Sequence, residues 1–164
     1  MTVARLVCRL PAPGSGFSCP AGGLVLPWDA RRDAEALAEL ATVTAGSWPG
    51  RGAPSAPGLA GEFSTRPGRL VDAWVAREAV LGVPVDPLQG VVSLVTATSA
   101  AGIRFSIGWL LVRPDCRRRG IGRALVSTAV AHARGQGSQA VWVETLPTWP
   151  EAAAFWRTMG FEPG

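Results

Sequence analysis

The chain has 164 residues, 16 of them Arg or Lys against 12 Asp or Glu, for a formal charge of +4. That length suits one domain with a sizeable core, and 48% hydrophobic with 17% charged residues excludes a chain disordered throughout. No apolar run approaches the ~18 residues of a membrane-spanning helix, and no continuous apolar stretch follows Arg5 and Arg9 as a secretory signal requires.

The three cysteines, Cys8, Cys19 and Cys116, are odd in number and not spaced as metal ligands. The expectation is a reduced, cytoplasmic protein without a metal. Every basic residue is Arg, and the chain contains no Lys, no Asn and no Tyr. Only Arg117-Arg118-Arg119 is a basic cluster, too little for a nucleic-acid surface on charge alone.

In chain order, residues 1–22 read as a flexible, Gly/Pro/Ser-rich arm carrying one short edge strand, and residues 23–164 as a single domain. Leu24 to Leu26 is a short strand. A helix runs from Ala30 to Thr42, with Asp29 as its N-cap. Residues 47–68 form a Pro/Gly-rich loop with a short helix around Gly61 to Thr65, either a lid over substrate through Trp48 and Arg51 or a disordered insertion.

Leu70 to Arg77, Gly90 to Thr98 and Gly102 to Val112 read as strands, the last two joined as a hairpin. Val80 to Gln89 is a Pro-broken insertion between them. Gly122 to Arg134 is the clearest helix, with Leu125, Val126, Ala129, Val130 and Ala133 at one-face spacing and Gly135 as its stop. Ala140 to Glu144 is a further strand, and Glu151 to Thr158 a last helix closed by Gly160. The order predicts an α/β layered domain with a mixed sheet.

The chemistry concentrates in Leu110-Leu111-Val112-Arg113-Pro114-Asp115-Cys116-Arg117-Arg118-Arg119-Gly120-Ile121-Gly122-Arg123. A strand ends, a loop follows, and a helix begins, so the first-turn amides and the positive end of the dipole face one place. Such a terminus binds phosphate. Glycines at 120 and 122 remove the Cβ atoms that would hold a pyrophosphate away from the backbone, and arginine forks add charge. A Walker loop is excluded because Arg123-Ala124 follows where Lys and Ser or Thr are needed. A dinucleotide fingerprint is excluded because Leu125 stands at the third glycine.

The remaining pattern, Arg-x-x-Gly-x-Gly behind a Val-x-Pro strand end, resembles the pyrophosphate loop of the GCN5-related N-acetyltransferase (GNAT) family. Ala152-Ala153-Ala154-Phe155-Trp156-Arg157-Thr158-Met159-Gly160-Phe161 resembles that family's closing motif. The likeness is good over residues 69–161 and weak over 24–45. It implies a mixed, mostly antiparallel central sheet with a splayed strand pair and helices on both faces. It also implies acetyl-coenzyme A as the acyl donor and a small-molecule or peptide amine as acceptor. Carried over residue by residue, it assigns Leu110, Leu111 and Val112 to the pantetheine arm. Arg117 and the amides of Arg118, Arg119, Gly120, Ile121, Gly122 and Arg123 fall to the pyrophosphate, and Trp156 to the wall of the acyl pocket.

Glu144 aligns on the glutamate of the N-terminal protein acetyltransferase branch and is the candidate general base. The family's tyrosine is replaced by Trp156, whose indole N–H cannot act as an acid. A non-catalytic acyl-coenzyme A-binding or sensing module is therefore the alternative reading. Only Glu162-Pro163-Gly164 follow the Gly-Phe pair, which leaves the neighbouring strand without a partner. The N-terminal arm or a second subunit, as in a homodimer, is expected to fill that gap. His132 is expected on a helix surface, Cys116 in packing, and Trp28, Trp74 and Trp109 in the core.

Overall fold

The computed structural model describes residues 4–9, 23–47, 56–67, 69–100 and 102–164. The expected lid residues Trp48 and Arg51, and residues 10–22 of the arm, lie outside the described residues. The strands are β1 (Ala4–Arg9), β2 (Gly23–Pro27), β3 (Arg69–Val80), β4 (Val83–Ser99), β5 (Gly102–Val112), β6 (Ala140–Thr145) and β7 (Glu162–Pro163). The helices are α1 (Ala30–Thr44), α2 (Ala56–Glu62), α3 (Ile121–Gly135) and α4 (Pro150–Thr158). All seven strands join one sheet in the order β2-β3-β4-β5-β6-β1-β7, antiparallel throughout except at β5–β6.

Alternation along each strand sends side chains to two faces. On one face Trp74, Val92, Leu94, Phe105, Ile107, Val141 and Val143 pack against Ile121, Leu125, Val126 and Ala129 of α3 and against Trp156 and Phe161. On the other, Ala73, Val75, Val91 and Leu111 pack against Leu37, Leu40 and Ala41 of α1 and Leu59 and Phe63. α1 starts where expected because Asp29 accepts the Arg31 and Arg32 amides at 2.8 and 3.1 Å. Asp33 in turn accepts the Asp29 amide at 2.8 Å, so both ends of the first turn are satisfied by side chains.

Three expectations change. Val80 to Gln89 is not an insertion but the arm of the β3–β4 hairpin, with Val80 facing Val83 across Leu81-Gly82. Positive φ at both turn residues, 52° and 78°, matches the right-handed strand twist. The pairing then shifts register at Ala76, Arg77 and Glu78, and this bulge hides the period that a sequence pattern needs. The short helix of the long loop is Ala56–Glu62 rather than one near Gly61 to Thr65.

The third change is at the N-terminus. β1 is not an edge strand: it lies between β6 and β7, with Leu6 opposite Val143 on one side and opposite Pro163 on the other. Leu6 and Cys8 are buried in the α3-side core. The partner that β6 needs is thus the chain's own first strand. Two-residue β7 could not cover the six residues of β6 alone.

Candidate active site

β5 carries a bulge. Ser93 pairs with Trp109 and Leu94 with Ile107, so Gly108 is the extra residue. A Cβ there would stand 2.9 Å from both Ser93 Oγ and Val95 Cγ2, which explains the glycine. Ser93 Oγ instead accepts the Trp109 amide at 2.9 Å. The extra residue reverses the alternation: Phe105 and Ile107 face α3, and beyond the bulge Leu110 and Val112 do, while Leu111 and Trp109 turn to the α1 face.

The same point ends the β5–β6 ladder. The parallel pairing covers only Phe105–Val141, Ser106–Trp142 and Ile107–Val143. β5 continues to Val112 and β6 to Thr145 with no pairing between them. Leu110, Leu111 and Val112 therefore keep β4 on one side and a cleft on the other. Unpaired backbone groups facing such a cleft need hydrogen-bond partners, and an extended chain bearing amides can supply them.

At the open end of the cleft, Pro114–Cys116 makes a tight turn, and Arg118 and then Gly120 take left-handed conformations with φ of 59° and 83°. Gly120 caps α3 without any side-chain hydrogen bond, and Ala124 is the first amide to bond back, to the Gly120 carbonyl at 3.0 Å. Among the described residues, the amides of Arg118, Arg119 and Gly120 reach no backbone acceptor, and those of Ile121, Gly122 and Arg123 belong to the unpaired first turn. Successive amides in such a bend form a concave anion cradle.

The arginines divide. Arg117 Nε turns back to the Val112 carbonyl at 3.3 Å, and Arg119 leans on Cys116 Sγ at 4.0 Å. Arg118 and Arg123 stand exposed. Arg113, missed in the sequence because only its Pro was read, anchors the loop: it meets Glu39 of α1 at 2.9 Å and Asp115 at 3.3 Å. Its amide bonds the Gln89 carbonyl at 2.9 Å. Burial pushes the buried Cys116 thiol up, and Asp115 adds to that against the opposing pull of Arg119 and Arg113. Cys116 stays a packed thiol.

Glu144 is the first β6 residue past the last β5 pair, exposed, with its carboxylate 3.0 Å from Arg5 on β1. Trp156 is buried between the rings of Phe155 and Phe161, at 5.1 and 5.2 Å. The aromatic ring beside the loop is Phe155, which a Cβ on Gly122 would meet at 3.5 Å, with Val112 at 3.6 Å. Phe155 and the buried Thr145 hydroxyl, without a hydrogen-bond partner among the described residues, were not singled out in the sequence. Both follow from the α4 and β6 patterns once the splay is known.

Residues 54–161 match the Acetyltransferase (GNAT) family. The chain belongs to the GNAT acetyltransferase family. Membership implies acyl transfer from an acyl-coenzyme A, and the family's proteins use acetyl-coenzyme A as cosubstrate. Among solved structures, a tandem GNAT protein from the clavulanic acid biosynthesis pathway is 19% identical with a TM-score of 0.70, covering 98% of this chain and 50% of that one. A GNAT acetyltransferase of Sphaerobacter thermophilus is 18% identical with a TM-score of 0.69, covering 99% and 48%. One from Desulfovibrio desulfuricans is 21% identical with a TM-score of 0.66, covering 85% of each chain. The chain thus spans about half the length of the first two. No curated protein matches the sequence. These likenesses speak for the fold.

The residues fit the cosubstrate of this GNAT domain: a cradle of free amides, a glycine in the left-handed conformation at its centre, an unpaired strand beside it, and an orphaned hydroxyl at Thr145. Among the described residues no helix is long and apolar enough to cross a membrane, and no group of His, Cys, Asp and Glu could hold a metal ion.

Proposed function

We propose that this GNAT domain is an N-acetyltransferase moving an acetyl group from acetyl-coenzyme A directly to the amine of a small molecule or peptide. The observation that carries the reading is the parting of β5 and β6 after Ile107 and Val143, with Glu144 at its apex and the amide cradle at its mouth. Leu110, Leu111 and Val112 offer backbone groups to the pantetheine arm. The amides of Arg118, Arg119, Gly120, Ile121, Gly122 and Arg123 take the pyrophosphate, with Arg117 holding the loop to the strand end. When bound, acetyl-coenzyme A supplies a thioester whose carbonyl carbon an amine can attack, with loss of the C–S bond.

Glu144 accepts the proton that the amine must lose to attack, directly or through water. Arg5 keeps that carboxylate oriented in the cleft. No phenol is available to protonate the leaving thiolate, and Trp156, buried and a donor only, does not replace one. Water takes that part, and Trp156 backs Phe155 from within the core.

The test is release of free thiol with a panel of amines and peptide N-termini, alongside calorimetric titration of acetyl-coenzyme A. Glu144→Gln is expected to lower kcat by about 10²-fold or more while leaving cofactor affinity unchanged. Tight cofactor binding with no thiol release from any acceptor would replace the enzyme by the non-catalytic binding module.

A further inference from the structure

On the α1-side face of the sheet, α1 and α2 cover Ala73, Val75, Val91 and Leu111, but β6 and β1 contribute no buried residue to that layer. Their side chains on this face are Trp142, Glu144, Arg5 and Val7, since Val141, Val143, Leu6 and Cys8 are committed to the other. β5 adds Arg104 and Ser106, because Phe105 and Ile107 are likewise committed to the α3 side. Among the described residues this floor runs from Glu144, at the apex of the splay, across Trp142, against whose ring edge Gly164 packs, to Arg104.

Arg104 stands out in its chemistry. Its guanidinium lies over the Trp142 ring, 4.6 Å from the centroid. Its Nε is shielded from solvent without a hydrogen-bond partner, and it has no ion pair among the described residues. Arg77 and Arg113, which are also well covered, each hold two carboxylates. A guanidinium resting on an aromatic face is partly desolvated yet keeps its N–H fork directed outward from the ring. That fork matches a carboxylate in two parallel bonds. Trp142 and Glu144 are alternate residues of one strand, so their Cα atoms are roughly 7 Å apart. An acceptor with its amine at Glu144 places a carboxylate a few bonds away above Trp142.

We propose that the acceptor is an amine bearing a carboxylate, and that Arg104, held over Trp142, is the residue that binds that carboxylate. The proposal deepens the acetyltransferase reading and rests on it. Attack, C–S cleavage and proton transfer to Glu144 are unchanged; Arg104 fixes only which amine is presented.

A series of ω-amino carboxylates of increasing length is compared with the matching carboxamides. Thiol release gives kcat and KM, and saturation-transfer NMR with coenzyme A present gives acceptor binding independently of turnover. The acids are expected to exceed their carboxamides by about ten- to a hundredfold in kcat/KM, the range of a charge-assisted bond. Arg104→Gln should erase that ratio through the KM of the acids, with cofactor affinity unmoved. Arg104→Lys, which keeps charge without the fork, should retain part of it. The proposal is overturned if acids and carboxamides respond alike in both measurements, if no acid binds, or if Arg104→Gln weakens both sets equally. Failure of the acetyltransferase reading is seen separately, as no heat on titrating acetyl-coenzyme A into the wild-type protein, or as heat without thiol release from any acceptor, acid or carboxamide.

Discussion

Asp33 has no exposure to solvent and sits between two guanidiniums, Arg32 at 2.7 Å and Arg77 at 2.8 Å, while Arg77 also reaches Asp86. Burial pushes the Asp33 carboxyl up, but hydrogen bonds from Arg32, the Asp29 amide and Arg77 outweigh it and hold the group below the ordinary carboxylate range. A carboxylate depressed in this way contributes stability above its unfolded pKa of about 3.9 and loses it as pH falls through the lower folded value. Asp33→Asn leaves Arg77 buried with half its charge partners gone, a loss of about 3–5 kcal/mol at pH 7. Urea denaturation at pH 7 and again below pH 3 should show the gap between wild type and variant shrinking with acidity. A gap independent of pH would mean that packing, not charge, holds this cluster. Asp29 as a cap was legible because capping is local; the Asp33–Arg77 pair was not, because 44 positions separate its members.

The loop and α3 form the element to which the proposed function assigns the cofactor. Gly120 is needed for its φ of 83°, a region that a side chain rarely enters. Gly122 is different: a Cβ fits at ordinary contact with Phe155 and Val112, and only larger groups collide. Replacing Gly120 and Gly122 together by Val should abolish the heat of acetyl-coenzyme A binding, whereas Gly122→Ala should retain it within a few fold. Equal affinity in the double variant would move the pyrophosphate off this loop. At the bulge, Gly108→Ala should destabilise by about 1–3 kcal/mol as Ser93 and Val95 give way, read as a lowered melting temperature. The Arg-x-x-Gly-x-Gly run exposed the first element to sequence reading because a turn into a helix is built from contiguous residues. The bulge remained hidden, since Gly108 acquires its meaning from Ser93 and Val95 across the sheet.

Over the whole molecule, β1 closes the sheet. Its six residues pair along β6, its buried Leu6 and Cys8 extend the α3-side core, and Arg5 reaches Glu144. Removing residues 1–9 would bare the β6 edge and uncover that corner of the core, and exposed edges pair with other chains. The truncated chain is expected to elute as oligomers or to melt well below wild type, with light scattering as the check. A monomer of unchanged melting temperature would show that β1 is dispensable. A short strand in the N-terminal arm was legible in the sequence. Its depth was not: an alternating six-residue segment suits an edge as well as an interior position, and only pairing on both sides distinguishes them.

The sequence alone determined the glycine turn into α3, helices α3 and α4, the closing Gly-Phe segment and the family, because each is written in consecutive residues whose spacing is set by one helix or one turn. Only the tertiary structure decided that β5 and β6 part at Glu144, that Phe155 rather than Trp156 stands beside Gly122, and that Arg104 lies over Trp142 with no carboxylate partner among the described residues. Those facts depend on register between strands distant in the chain. A single bulge residue reverses which face every following side chain takes, and no local pattern records that reversal.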